Sequence, residues 1–244
     1  MATSPARSTR LSERLRDRRF YLFITILTAA LVFAGFARTF YLNGFFAKLH
    51  LSPLFVLHGV VFSSWLVILV TQAFLVSVRK VHIHKKLGYA SIAIAVAMFA
   101  LGWIMSVQAA QRGFTPPGGP HPLAFLAFQL LGLFAFVALI AAAYLLRNRP
   151  ETHKRLMVGA TILLLTPAVA RIFLIFTSNA ILPKTLGVQF GLFLACMVYD
   201  LFTRRRVHLA WIWSTAAFLL FVFGAILGGP TRAWFAIAHW ITRV

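Results

Sequence analysis

The chain has 244 residues, 61% of them hydrophobic and only 11% charged, and its mean hydropathy is +0.86. A water-soluble domain carries about 25% charged residues, so water is excluded as the main solvent for most of this chain. The formal net charge of +20 would suit nucleic acid if it covered a polar domain. Instead the Lys and Arg residues fall in short clusters between long apolar runs, which excludes nucleic acid as a partner and makes the lipid bilayer the expected one.

Residues 1–19 form a basic tail in which Arg7, Arg10, Arg14, Arg16, Arg18 and Arg19 face only Glu13 and Asp17. The apolar run that follows, 20–42, is longer than the roughly 7–15 residues of a signal-peptide core, and no small-residue cleavage pattern ends it. Further apolar runs at 53–78, 88–110, 123–146, 156–178, 186–203 and 208–229 each approach the roughly 20 residues that cross hydrocarbon as a helix. The pattern predicts an all-α bundle of seven transmembrane helices within residues 20–230, the sixth being the shortest. Between the third and fourth spans, Pro116-Pro117-Gly118-Gly119-Pro120 breaks any helix. The last stretch, 231–244, contains Trp234, His239 and Trp240 and is expected to lie as a helix at the headgroup boundary. The lone cysteine, Cys196, lies inside an apolar run and excludes an intrachain disulfide or a multi-cysteine metal site.

Orientation follows from the basic residues. With the N-terminus inside, 17 of the 24 Lys and Arg residues face the cytoplasm and five (Lys48, Arg112, Lys184, Arg232 and Arg243) face the other way. This bias predicts an N-in, C-out topology. All four acidic residues, Glu13, Asp17, Glu151 and Asp200, also fall on the inner side, so the outer half of the bundle has no carboxylate side chain.

Two groups of polar residues stand out. In the second span His58, Trp65, Gln72 and Arg79 recur every seven residues, a stripe that drifts only about 20° per heptad and marks the inward face. Arg171 lies in the fifth span one turn after Pro167, and an arginine at that depth costs at least about 2.5 kcal/mol unless it is paired or hydrated. Arg38, Gln108 and Gln129 fall at comparable outer depths. Arg38, His58, Trp65, Gln108, Gln129 and Arg171 are therefore a candidate binding set for an anionic or carbonyl-bearing ligand such as a lipid phosphate, a quinone or a haem propionate, because Arg presents a fork of donors to such oxygens. The structural alternative is that Arg38 reaches the headgroups, His58 bonds a neighbouring helix and Arg171 caps carbonyls freed by Pro167. On the inner side His84, His153 and His208 open three spans and Asp200 closes another, a donor set that suits zinc, iron or a haem. The alternative is a set of solvated helix ends, with Asp200 in a surface salt bridge to Arg204, Arg205 or His208. No motif names a catalytic residue.

The pattern Leu57-His58-Gly59, Trp65, Gln72, Arg79, His84-x-x-Leu87-Gly88, then Pro150-Glu151-x-His153-Lys154-Arg155-Leu156-Met157, Asp200 and Arg206-Val207-His208 resembles a set of uncharacterised bacterial multi-span membrane proteins. That resemblance implies a multi-pass fold in the bacterial cytoplasmic membrane and no particular reaction. Progestin and adiponectin receptors and alkaline ceramidases share a seven-span, N-in plan with a zinc site near the cytoplasm. Their pattern also needs a His-x-x-x-His pair on the last helix and an early carboxylate. Here only His208 is present and the second and third spans have no acid, which argues against a zinc hydrolase. Cytochromes of the b-561 type pair histidines at matched depths. The inner histidines supply one such pair, whereas the outer half offers only His58 within a span. The leading expectation is a lipid- or quinone-binding membrane protein. The alternatives are a haem or metal redox protein and a non-catalytic subunit or transporter.

Overall fold

The structure, a computed structural model, describes residues 5–177 and 181–243. The side chains of Arg7, Arg10 and Arg14 in the expected tail lie outside the described residues, as do residue 178 at the end of the expected fifth span and Val244 at the end of the expected interfacial segment. The helices are α1 (Pro5–Phe36, continued by a π-helical turn Ala37–Tyr41), α2 (Pro53–Ser77), α3 (Val81–Gln111), α4 (Pro122–Leu145) and α5 (Pro150–Leu163). They are followed by α6 (Thr166–Phe176), α7 (Ile181–Arg204), α8 (Leu209–Phe223, continued by a π-helical turn Gly224–Gly228) and α9 (Arg232–Thr242). Among the described residues there is no strand. The chain is an all-α multi-pass membrane bundle, as its apolar runs predict.

Helices α1 from Leu15, α2, α3, α4, α7 and α8 are long and apolar enough to cross a bilayer, and α5 with α6 makes a seventh crossing if the pair is one span bent by 42°. Several helices extend past the apolar runs. Helix α1 begins at Pro5 and α3 at Val81 because Arg and Lys are good helix formers, and the polar flanks contain nothing that stops the helix. Helix starts are signalled locally. Ser52 Oγ accepts the Phe55 amide at 3.3 Å ahead of Pro53, and His121 Nδ1 accepts the Leu123 amide at 3.3 Å ahead of Pro122. Thr231 Oγ1 accepts the Trp234 amide at 3.2 Å, so the C-terminal segment is helical as expected. Trp234 Nε1 donates to the Leu123 carbonyl at 2.7 Å and Gln111 Nε2 to the Thr242 carbonyl at 2.9 Å, which ties α9 to the ends of α3 and α4.

The bend between α5 and α6 has an identifiable cause. Pro167 has no N–H, so the Leu163 carbonyl one turn upstream loses its helical partner, and the Ile162 carbonyl keeps only the tighter-turn bond from the Leu165 amide at 3.1 Å. Both are served by one buried side chain of α7: Gln189 Nε2 donates to Ile162 O at 2.9 Å and to Leu163 O at 3.0 Å, while its Oε1 accepts from Thr166 Oγ1 at 2.8 Å. Thus the broken span is spliced by a residue of another helix.

The main apolar core joins α4, α5, α7 and α8 through Phe136, Leu156, Ile162, Phe193, Trp211 and Phe218, all buried. Two close approaches depend on glycine. A Cβ on Gly35 would fall on the backbone of Ala168, so α1 lies directly against α6, and a Cβ on Gly159 would strike Ser214 of α8. Substituting Gly35→Ala should therefore destabilise the protein by about 1–3 kcal/mol. Gly187→Ala on α7, where an added Cβ meets nothing, should not. Thermal unfolding of the two variants in detergent micelles tests the contrast.

Candidate functional site

Helix α2 carries the polar stripe along its length, and each member makes a different contact. Trp65 is buried and its Nε1 donates to Thr161 Oγ1 of α5 at 3.1 Å, so its polar atom is already used in tying two helices. Gln72 Nε2 lies 3.5 Å from Ser91 Oγ of α3. Arg79 is exposed and ends α2 in the left-handed conformation, at φ 62°. His58, nearest the helix start, is half-buried and stacked on Phe62 at 4.1 Å between ring centroids. Its Nδ1 is buried and has no hydrogen-bond partner among the described residues.

Arg171 approaches His58 from α6, close enough for its charge to act on the imidazole. Its Nη1 donates to the Pro167 carbonyl at 3.0 Å and its guanidinium lies 4.3 Å from the centre of the Phe36 ring. The other members of the outer set lie apart from this pair. Arg38 is exposed in the π-helical turn, 5.8 Å from the Phe46 ring centre. Gln108 Oε1 accepts from Arg112 Nη2 at 3.2 Å. Gln129 is half-buried on α4, a helix that packs on α3, α5 and α8, whereas α6 packs on α1 and α7. The structure puts Arg171 within electrostatic range of His58, with no direct bond between them among the described residues, and leaves Arg38, Trp65, Gln108 and Gln129 in other contacts.

At the opposite, basic end the structure contains a polar centre that the sequence reading placed on the surface. Arg155 and Asp200 both have 0% side-chain exposure. Arg155 Nε donates to Asp200 Oδ2 at 2.8 Å and Nη2 to Oδ1 at 2.5 Å, a parallel two-bond pair. Arg155 Nη1 donates to the Glu151 carbonyl and to its Oε2, each at 2.7 Å, and the His208 amide donates to Asp200 Oδ2 at 3.3 Å. Around this core Lys154 Nζ reaches Asp17 at 2.8 Å and Arg204 Nη2 reaches Asp17 at 2.5 Å and Glu151 at 2.6 Å. The Tyr199 hydroxyl donates to Asp17 Oδ1 at 3.0 Å. The expected surface pairing of Asp200 with Arg204, Arg205 or His208 is thus corrected: its main partner is Arg155, and Arg204 stands off at 3.9 Å. The reason is helical phase. Arg155 begins the buried face of α5 that continues through Leu156, Val158 and Ala160, while its neighbour Lys154 turns out towards Asp17.

The inner histidines divide. His84 and His153 meet, with ring centroids 6.3 Å apart and planes at 85°. His153 Nδ1 lies 2.9 Å from the Ala143 carbonyl, to which it donates, leaving Nε2 with a free lone pair. His84 Nδ1 is buried without a partner among the described residues. His208 instead caps α8, its Nδ1 accepting the Ala210 amide at 3.1 Å. Burial holds His208 below the ordinary imidazole range, which keeps that nitrogen unprotonated and able to accept. His84, His153, His208 and Asp200 therefore do not form one ligand sphere, and among the described residues no three His, Cys, Asp or Glu side chains gather around a common point that suits a metal ion. No protein-family model, curated protein or solved structure matches this chain.

The buried pair gives a graded expectation. Removing one partner leaves an uncompensated buried charge, so Asp200→Asn should cost about 3–5 kcal/mol. Glu151→Gln, at a side chain 43% exposed, should cost less than about 1 kcal/mol. A double-mutant cycle with Arg155→Met and Asp200→Leu, read by unfolding in micelles, should show strong coupling between the two positions.

Proposed function

We propose that this membrane protein binds the oxygen-bearing end of an amphipathic bilayer molecule, an anionic lipid or a quinone, between His58 and Arg171. The observation that carries this reading is the arginine itself. A guanidinium offers five N–H donors, and within the described chain Arg171 has one hydrogen-bond acceptor, the Pro167 carbonyl. Its neighbour His58 has a buried ring nitrogen that is equally unserved. An unpaired cation in hydrocarbon calls for an anion, a carbonyl or water. The chain's four carboxylates are Glu13 and Asp17 on α1, Glu151 at the start of α5 and Asp200 near the end of α7, so none lies at this end of the bundle. A phosphate or quinone oxygen accepts the Arg fork, and the imidazole supplies a second polar contact on the same ligand. The basic-residue bias adds an N-in orientation, with the site in the outer half, and the resemblance to bacterial multi-span proteins supports a bacterial cytoplasmic membrane as the location.

Mass spectrometry of lipids and quinones extracted from purified protein tests this reading. The native protein should retain a defined species, and Arg171→Leu should lower its occupancy at least about tenfold, the factor that corresponds to one lost charge-assisted hydrogen bond. Unchanged ligand content in a folded Arg171→Leu sample would remove the proposal.

A second reading rests on the meeting of His84 and His153. Two imidazoles sharing one metal through facing nitrogens, each about 2 Å from it, have centroids roughly 6 Å apart, and these stand at 6.3 Å. The Nδ1–H bond from His153 to a backbone carbonyl is the support that metal-bound histidines usually have. These residues fit a haem iron or a single transition-metal ion, which would supply redox or Lewis-acid chemistry at that end. A Soret band or stoichiometric metal that disappears in His153→Ala would support it. A colourless, metal-free protein from cells supplied with iron and zinc would end it.

A further inference from the structure

Helix α1 has a second face that the ion-pair cluster does not use. Leu15, Arg16, Arg19, Phe20 and Phe23 fall at alternating steps of one and three residues, so they share one side of the helix. With Tyr199 of α7 they line an open groove of about 510 Å³. Its floor is the Phe20–Tyr199 stack, with ring centroids 3.6 Å apart and planes within 2°. One end is bordered by the two arginines and the other by Phe23, which is 60% exposed. The groove sits where the first membrane-crossing segment begins, at Leu15, so its arginine end is at headgroup depth and its Phe23 end faces the hydrocarbon.

Charge bookkeeping at this end is one-sided. Asp17, Glu151 and Asp200 are all engaged by Lys154, Arg155 and Arg204, and Glu13, the remaining carboxylate of this end, makes no ion pair among the described residues. Arg16 and Arg19 make no ion pair within the described chain, and Arg16 lies beside the Tyr199 hydroxyl. Two exposed guanidiniums on adjacent turns, without counter-ions and above an aromatic floor that runs into apolar surface, match one kind of molecule. We propose that this groove binds an anionic phospholipid, its phosphate between Arg16 and Arg19 and an acyl chain along Phe20 and Phe23. This site is separate from the His58–Arg171 pair and stands whether or not that pair binds a ligand. A lipid here also covers the Tyr199 ring, whose hydroxyl holds Asp17 in the cluster.

The test adds phosphatidylglycerol or phosphatidylcholine of matched chains to the full-length protein in detergent micelles and counts retained lipid by native mass spectrometry. Phosphatidylglycerol should be retained in preference to phosphatidylcholine. The double variant Arg16→Gln/Arg19→Gln should weaken that retention about thirtyfold, the effect of two basic residues at a membrane surface. Arg16→Lys/Arg19→Lys should keep most of it, and Arg232→Gln, at an exposed arginine that starts α9, should leave it unchanged. Equal retention of the two lipids by the native protein would overturn the proposal, even if a variant failed to fold. So would undiminished phosphatidylglycerol binding by a folded double glutamine variant. Full displacement of phosphatidylglycerol by millimolar inorganic phosphate would also overturn it, by showing a site for a soluble anion rather than a lipid.

Discussion

A guanidinium and a carboxylate with no exposed surface, Arg155 and Asp200, set the geometry of the basic end of the bundle. Removing two charges from water costs several kcal/mol per ion, and attraction offsets that only when the remaining donors and acceptors are also served. Here they are. Asp200 accepts from two nitrogens of Arg155 and from the His208 amide, and Arg155 spends its remaining bonds on Glu151. Because a parallel two-bond pair tolerates little displacement, α5 cannot slide or rotate against α7 without breaking it. The outer members of the cluster, Lys154 and Arg204 on Asp17, then add α1 to the same frame.

That frame fixes the start of a span whose second half diverges. The 42° break between α5 and α6 sends the chain from the central core towards α1. Gln189 holds the elbow by standing in for the lost backbone donors. The contact of Gly35 with the backbone of Ala168 positions the far half of the span, and with it Arg171 beside Phe36 and near His58. The far-end pair is thus a consequence of the elbow.

Much of the architecture was legible because lipid imposes a simple rule: a span must be apolar for about 20 residues, and the chain writes that rule plainly. The break at Pro167 was legible from a missing donor and the terminal helix after Thr231 from its tryptophans, to which the structure adds a hydroxyl cap. The polar sites were less so. Charge pattern placed Lys154 and Arg155 together in a loop, yet adjacent helix residues point about 100° apart, and only packing reveals which one turns inward. Gln189 carried a readable signal, a lone amide in an apolar run of a protein with a proline-broken span, but its partners lie 26 and 27 residues away. The histidines shared one depth in the sequence, and depth alone did not separate the pair that meets, His84 and His153, from His208, which caps a helix.

The 45 residues between Arg155 and Asp200 also separate them in time. At ribosomal rates of about 5–20 residues per second, Asp200 is made roughly 2–9 s after Arg155. During that interval Arg155 has Glu151, four residues upstream, as its one carboxylate partner on α5, and the break at Leu163 has no Gln189 to mend it. A lone α5–α6 segment is therefore a poor insertion substrate. Its residence in the bilayer depends on the late arrival of α7, which carries both the counter-ion and the splint. Both the counter-ion that completes the pair and the amide that mends the break come from α7, the next spanning helix in the chain.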